Sequence, residues 1–146
     1  TANDAKGFRI FKIVFSLIVL AISIYALIPS EKLEPEWKKF SIENYEASLD
    51  NNERMVVDFY ADWCIPCKEL DALTFSDNRV LKQFERFTIY KVDMTKNNEI
   101  NESLRKRFNV IGMPTVLIID SKGNEIKRLT GFVNADEFLS MVKDVN

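Results

Sequence analysis

The longest apolar stretch of the chain lies near its N-terminus. Residues 8–28 are dominated by apolar side chains, and residues 13–28 carry no charge. About 21 such residues form a helix of roughly 31 Å, which is long enough to cross the hydrocarbon core of a bilayer. We therefore predict a transmembrane helix within residues 1–29, with a signal peptide and a buried core helix as the alternatives. A signal peptide would have a shorter apolar region, and a core helix would show a polar face.

The charges on the two sides of this segment differ. Lys6, Arg9 and Lys12 come before the uncharged part, whereas the charged residues that follow it are mostly glutamates. Because a basic excess marks the cytoplasmic side of a membrane span, we expect the N-terminal side to be cytoplasmic. Residues 30–36 are then a polar linker. Residues 37–146 form a domain on the opposite side, which in a bacterium is the periplasm.

Residues 37–146 alternate between apolar runs of strand length and amphipathic stretches of helix length. The expected strands cover 37–42, 55–61, 87–94, 114–120 and 125–131, and the expected helices cover 44–49, 64–75, 76–85, 99–108 and 135–142. Within 64–75, Leu70 and Leu73 are expected in the core. Helices between strands indicate parallel pairing, and the turn at 121–124 adds an antiparallel hairpin. We predict an α/β fold with a mixed central sheet flanked by helices.

Composition excludes several classes of protein. Hydrophobic residues make up 47% of the chain and charged residues 29%, which favours a globular core over disorder. The net charge of −2 argues against a nucleic-acid binder. The chain has no histidine, which excludes a His-based metal site, a Ser-His-Asp triad and a Cys-His pair. It starts with Thr rather than Met, so we expect a processed protein or a piece of a longer one.

The chain has two cysteines, Cys64 and Cys67, directly after an apolar run. A structural zinc site needs four ligands, and a structural disulfide across so short a loop adds little stability. A redox couple fits better, because unpaired N–H groups and the positive end of the dipole stabilise a thiolate at a helix N-terminus. Pro66 suits the first helical turn. We expect an exposed Cys64 to attack as the nucleophile, and Cys67, facing the helix–sheet packing, to be the resolving thiol.

Two further residues stand out near this motif. Asp58 interrupts the apolar strand before the cysteines, although burying an unpaired carboxylate is costly. It is either exposed on an edge strand or a buried proton acceptor whose pKa is raised by desolvation. Pro114 opens the strand at 114–120. From the residues alone its peptide bond is expected to be trans, since cis bonds are uncommon even before proline.

The sequence VDFYADWCIPCK at 57–68, followed by GMPT at 112–115, resembles the thioredoxin family over residues 37–146. Within that family, the ADWC, CKE and TFSD motifs are similar to those of DsbD-type C-terminal domains, which follow a membrane helix. The resemblance implies a thioredoxin fold. It also implies that Cys64 and Cys67 are the redox pair.

The resemblance assigns roles to further residues. Pro114 would be a cis proline facing the cysteines, and Asp58 the buried acid. Asp71 would be a second acid near the site, with a solvated helix position as the alternative. Lys91, the nearest lysine that could pair with Asp58, is expected to lie out of register for that contact. The substrate groove around Cys64 would consist of Trp63, Ile65, Pro66, Met113, Gly131 and Phe132.

The resemblance also implies a function. The chain would be a membrane-tethered protein-disulfide reductase, anchored in the bacterial inner membrane through residues 8–28. Electrons would come from a membrane electron-transfer domain, expected in the same polypeptide, and pass to a periplasmic thioredoxin-like or Dsb-type partner. The cysteine pair would carry them, with no bound cofactor and no metal. The alternatives are a free-standing membrane-anchored thioredoxin for cytochrome c maturation and a non-catalytic metal- or protein-binding module.

Overall fold

The computed structural model describes residues 2–27 and 33–145, and the chain divides into two units, Thr1–Lys32 and Leu33–Asn146. The first unit contains helix α1, Ala2–Leu27. Its segment Gly7–Leu27 has a mean hydropathy of 2.5 and is long and apolar enough to cross a membrane. A signal sequence near an N-terminus would meet the same criteria of length and composition. The predicted end of the span and the start of the linker, residues 28–32, lie outside the described residues.

The second unit alternates helices and strands in the predicted order. Its strands are β1 (Lys38–Lys39), β2 (Met55–Tyr60), β3 (Thr88–Asp93), β4 (Thr115–Ile119) and β5 (Glu125–Thr130). Its helices are α2 (Ile42–Asp50), α3 (Ile65–Glu69), a π-helix (Leu70–Phe75), α4 (Asn78–Phe84), α5 (Glu99–Arg107) and α6 (Ala135–Val142).

The five strands form one mixed sheet in the order β1-β3-β2-β4-β5. Strands β1, β3 and β2 are parallel, and β4 and β5 join them in antiparallel pairs. The predicted mixed sheet is therefore confirmed. The first strand is much shorter than the predicted 37–42, because Ser41 caps α2: its hydroxyl oxygen accepts a hydrogen bond from the N–H of Asn44 at 3.1 Å.

Helices cover both faces of the sheet. One face packs against the π-helix, α4 and α6 through a buried apolar cluster that includes Val56, Leu70, Phe75, Phe84, Ile89, Val116 and Phe138. The other face packs against α2 and α5 through a cluster that includes Tyr45, Met55, Val57, Phe59, Val92, Leu104 and Leu117. Since side chains alternate along a strand, Asp58 points to the same face as Val56. A carboxylate therefore lies within a face that is otherwise largely apolar.

The helix predicted over 64–75 has two parts. An α-helix runs to Glu69 and a π-helix continues from Leu70 to Phe75. Leu70 is buried as predicted, but Leu73 is 63% exposed, so its placement in the core was wrong. The wider turn of a π-helix shifts the inward positions beyond the 3.6-residue period, and Thr74 and Phe75 are buried instead.

Candidate active site

Cys64 and Cys67 form a disulfide at the start of α3. The S–S distance is 2.05 Å and the two Cα atoms are 5.3 Å apart. Cys64 is the N-cap of the helix, and its Sγ accepts a hydrogen bond from the backbone N–H of Cys67 at 3.2 Å. Pro66 lies in the first turn, as predicted, where a missing N–H leaves no helical bond unmade. The sequence thus places one sulfur against an unpaired N–H group of the helix end.

Burial does not distinguish the two cysteines in this disulfide. Each is 4% exposed, so the prediction that Cys64 is exposed was wrong for the oxidised site. The pair packs with Ala61 and against the partly buried Met113, which closes over the cysteines from another loop. Only their positions differ, because Cys64 precedes the helix and Cys67 lies within it.

The predicted groove residues lie on three separate segments, of which the first contains Trp63, Ile65 and Pro66. Trp63 and Ile65 are 62% and 63% exposed, and Pro66 is exposed between the cysteines. The Nε1 of Trp63 donates a hydrogen bond to the carbonyl oxygen of Thr95 at 3.4 Å, which ties the loop before the cysteines to the loop after β3. These exposed apolar groups flank the disulfide and face solvent.

The loop with Pro114 and the loop with Gly131 are joined to each other. The Met113–Pro114 peptide bond is cis, as the resemblance implies. The N–H of Gly131 donates a hydrogen bond to the carbonyl oxygen of Pro114 at 3.0 Å. Gly131 has a φ of +86°, a conformation that glycine adopts without steric cost. Phe132 follows and is 41% exposed, so it presents an apolar ring at the end of β5.

Asp58 is buried, as one of the two sequence interpretations required. It is 2% exposed, and its Oδ1 has no hydrogen-bond partner among the described residues. The pKa of Asp58 is raised to about 7, and burial is the main cause. The positive charge of Lys91 offsets part of this rise, and the negative charge of Asp71 adds to it. Asp58 lies three residues before Ala61, which packs against both cysteines. A carboxyl group that titrates near neutral pH is therefore built into the strand that leads to the disulfide.

Lys91 is in register with Asp58, so the expected misregister was wrong. The two residues are direct partners in the parallel pair of β2 and β3, and their side chains share one face of the sheet. The Nζ of Lys91 is 3.9 Å from the Oδ2 of Asp58. It is much closer to Asp71, donating to Oδ1 at 2.6 Å and to Oδ2 at 2.7 Å. Asp71 is thus an ion-pair partner of Lys91 rather than a freely solvated helix residue.

Two aromatic residues at this site were missed from the sequence. The Nζ of Lys91 lies 4.8 Å from the ring centroid of Tyr60 and 5.4 Å from that of Trp37. Tyr60 follows Asp58 by two positions in β2, so strand alternation could have placed both on one face. Trp37 precedes β1, and its sequence context carries no signal for this contact.

A buried threonine connects the helical side of the site to the loop after β5. The hydroxyl of Thr74 in the π-helix donates a hydrogen bond to the carbonyl oxygen of Val133. Together with the bond between Gly131 and Pro114, this contact links the π-helix and the loop after β5 to the loop of Met113, which packs against the cysteines. Within residues 7–27 and 33–145, no group of three or more His, Cys, Asp or Glu side chains is arranged to hold a metal ion.

Comparison with known proteins agrees with this geometry. Residues 36–144 match the Thioredoxin family model. The thiol:disulfide interchange protein DsbD of Haemophilus influenzae (strain PittEE) is 46% identical over 105 residues, which are 69% of this chain and 18% of that protein. DsbD of Yersinia pestis (strain Pestoides F) is 45% identical over 92 residues, or 62% of this chain and 16% of that protein. The chain thus spans less than a fifth of these curated relatives.

Solved structures give the same result. The C-terminal domain of Neisseria meningitidis DsbD in the reduced form is 30% identical, with a TM-score of 0.64 over 75% of this chain and 100% of that one. A putative disulphide-isomerase from Bacteroides thetaiotaomicron is 32% identical, with a TM-score of 0.63 over 78% of this chain and 94% of that one. These likenesses and the CxxC disulfide support thiol:disulfide oxidoreductase activity. The chain belongs to the thioredoxin family, and its domain is similar to the C-terminal domain of the thiol:disulfide interchange protein DsbD.

Proposed function

We propose that this chain is the membrane-tethered reductase module of a DsbD-like electron-transfer system, and that its domain reduces disulfides of periplasmic partner proteins. One observation carries the proposal: a CxxC disulfide caps the N-terminus of α3 and is flanked by exposed apolar residues, with a buried carboxyl group on the preceding strand. This arrangement combines a stabilised thiolate, a docking surface and a proton acceptor.

The reaction would proceed in two thiol–disulfide exchanges. In the reduced domain, the Cys64 thiolate attacks one sulfur of the partner's disulfide, forms a mixed disulfide and releases the partner's other sulfur as a thiolate, which takes up a proton. Cys67 then gives its proton to the Asp58 carboxylate and attacks the Cys64 sulfur. The Cys64–Cys67 disulfide forms, and the partner's second sulfur leaves as a thiolate that takes up a proton, so the partner is released as a dithiol. Two electrons pass to the partner, and the domain is left oxidised.

The two electrons must be replaced for another turnover. Residues 8–28 would anchor the chain in the inner membrane, with the domain in the periplasm, and a membrane domain in the rest of a longer polypeptide would reduce the disulfide again. The length of the curated relatives, more than five times the matched part, supports a longer system of this kind. The cysteine pair itself carries two electrons, so the exchange needs no bound cofactor.

A disulfide-reduction assay tests the proposal. The full chain in detergent micelles is given dithiothreitol as electron source and insulin as a protein disulfide substrate, and insulin reduction is followed as turbidity. We expect catalysis above the rate with dithiothreitol alone. The Cys64→Ser variant, which keeps the fold and the surface, is the matched control and should show none. A non-catalytic binding module would give equal rates for the two proteins, and that result would overturn the proposal.

A further inference from the structure

The ammonium group of Lys91 is enclosed on several sides. It forms two short hydrogen bonds to the carboxylate of Asp71 and lies over the rings of Tyr60 and Trp37. The Lys91 side chain is only 20% exposed, so most of its contacts are with protein rather than water. A cation in such surroundings interacts strongly with the groups that face it, because little solvent screens them.

The same ammonium group is the cation nearest to Asp58. Its Nζ is 3.9 Å from Oδ2, beyond hydrogen-bond distance, and Oδ1 of Asp58 has no partner within the part of the chain that the structure describes. Lys91 is the register partner of Asp58 on the adjacent strand, and the buried Asp58 needs this cation when it is ionised. Asp71 therefore holds the cation on which an ionised Asp58 depends. One positive charge is placed between two carboxyl groups.

We propose that Asp58 and Asp71 compete for Lys91, and that Asp71 is a positioning residue that holds the ammonium group away from Asp58 and so keeps Asp58 protonated. When Asp58 loses its proton, the ammonium group moves toward it by on the order of 1 Å, the distance needed for a hydrogen bond. The Asp71–Lys91 pair weakens as the Asp58–Lys91 pair forms. The competition for Lys91 does not depend on the proposed function. Only the consequence of this competition for turnover rests on that function.

The charged groups around Asp58 come from several elements. Lys91 lies on β3, Asp71 on the π-helix, and Tyr60 on the same strand. On β4 its partner is Val116, which brings no charge. Burial, and to a lesser extent nearby negative charges, raises the pKa of Tyr60. Its ring therefore faces Lys91 as a neutral group. Lys91 is thus the one group in this set that can neutralise an Asp58 carboxylate.

The competition would set when Cys67 can be deprotonated. Resolution of the mixed disulfide needs Asp58 as a carboxylate, and a free Lys91 favours that form. Removing the Asp71 charge should therefore move the pH dependence of resolution to lower pH. Removing the Lys91 charge should move it to higher pH.

The titration of Asp58 in the oxidised full chain tests this inference directly. The chain, in detergent micelles and labelled with ¹³C at aspartate Cγ, is titrated by NMR, and the Asp58 signal is assigned by its loss in Asp58→Asn. We expect Asp71→Asn to lower the Asp58 midpoint by about one pH unit or more, and Lys91→Gln to raise it by a similar amount. Glu69→Gln, which removes an exposed carboxylate nearby, is the control and should leave the midpoint unchanged.

The double variant separates competition from simple charge repulsion. If Asp71 acts only through its own field, Asp71→Asn shifts the Asp58 midpoint equally with or without Lys91. Competition predicts a clearly smaller shift in the Lys91→Gln background, since no ammonium group remains to be released. Equal shifts in the two backgrounds, or no shift on Asp71→Asn, would overturn the inference. Because the oxidised protein is titrated without a partner, this outcome is independent of whether insulin is reduced.

Discussion

The backbone N–H of Cys67 donates a hydrogen bond to the Sγ atom of Cys64, at 3.2 Å. Cys64 is the N-cap of α3 and Cys67 lies in its first turn, where this N–H has no partner within the helix. A thiolate accepts such a bond more strongly than a thiol or a disulfide sulfur does. Once the disulfide is reduced, the helix end should therefore favour the negative charge on Cys64 over Cys67. This asymmetry assigns the attacking role to Cys64, although the two sulfurs are equally buried in the disulfide.

Replacing Cys67 with Ser should trap a partner protein. Attack by Cys64 remains possible in Cys67→Ser, but the mixed disulfide cannot be resolved, so a covalent adduct accumulates. Cys64→Ser is the matched control and should trap little or nothing. Non-reducing electrophoresis followed by mass spectrometry identifies the linked cysteine. Adducts through Cys67 in cells that carry the unmodified chain would reverse the assignment of the two roles.

The acids near the cysteines should make Cys64 a weaker acid than the helix end alone would. The helix N-terminus stabilises a thiolate by about 0.3–1 kcal/mol, and up to roughly 2 kcal/mol when partly buried. An ionised Asp58 in a poorly solvated site opposes this effect by a comparable amount. We expect Asp58→Asn to lower the pKa of Cys64, and Asp71→Asn to act in the same direction.

Ultraviolet absorbance of the thiolate against pH, in reduced protein, measures this effect. Glu69→Gln again serves as the control, because its carboxylate is exposed. If neither Asp58→Asn nor Asp71→Asn moves the Cys64 titration to lower pH, the acids do not tune this thiol. The burial of Asp58 would then need another explanation.

Several features of the site could be predicted from local residue patterns. The cost of burying a carboxylate made Asp58 stand out in an apolar strand, and the structure shows it buried, which raises its pKa to about 7. The position of Cys64 at a helix start could be read from Pro66 and the preceding apolar run. Both inferences depend on residues within a few positions of one another, where sequence spacing fixes the geometry.

Other features depend on how distant segments pair and could not be read this way. Register between two parallel strands is set by packing through the intervening helices, so the position of Lys91 opposite Asp58 was missed. The π-helix was also missed, because the 3.6-residue period that placed Leu73 in the core assumes an α-helix throughout. The contact of Trp37 with Lys91 joins segments more than 50 positions apart.

The orientation of the membrane segment can be tested with a thiol reagent. The basic residues before residues 13–28 predict that the domain faces the periplasm. A membrane-impermeant maleimide added to intact cells with reduced protein should therefore label Cys64. A variant with Cys64→Ser and Cys67→Ser is the control for background labelling. Labelling that appears only after the inner membrane is broken would contradict the predicted orientation.

The stability of the domain should fall as pH rises through the range in which Asp58 stays protonated only in the folded state. Burial raises the pKa of Asp58 from 3.8 to about 7. Below 3.8 the folded and unfolded states both hold the proton. Between the two values the unfolded state loses it while the folded state keeps it, so ionisation favours unfolding. Above about 7 both are ionised and the effect is constant.

At 1.36 kcal/mol per pKa unit, this shift lowers the free energy of unfolding by roughly 4 kcal/mol between pH 4 and pH 8. Asp58→Asn should lack that fall, so its stability relative to the unmodified chain should improve by this amount over the range. A packing cost of the new amide would be the same at every pH and would not hide the trend. Urea unfolding of the oxidised chain in micelles, followed by tryptophan fluorescence, measures both curves. Glu69→Gln is the control, and its free energy of unfolding should follow that of the unmodified chain at every pH. Parallel curves of unfolding free energy against pH for Asp58→Asn and the unmodified chain would contradict the prediction, because they would show that Asp58 is already ionised at low pH in the folded domain.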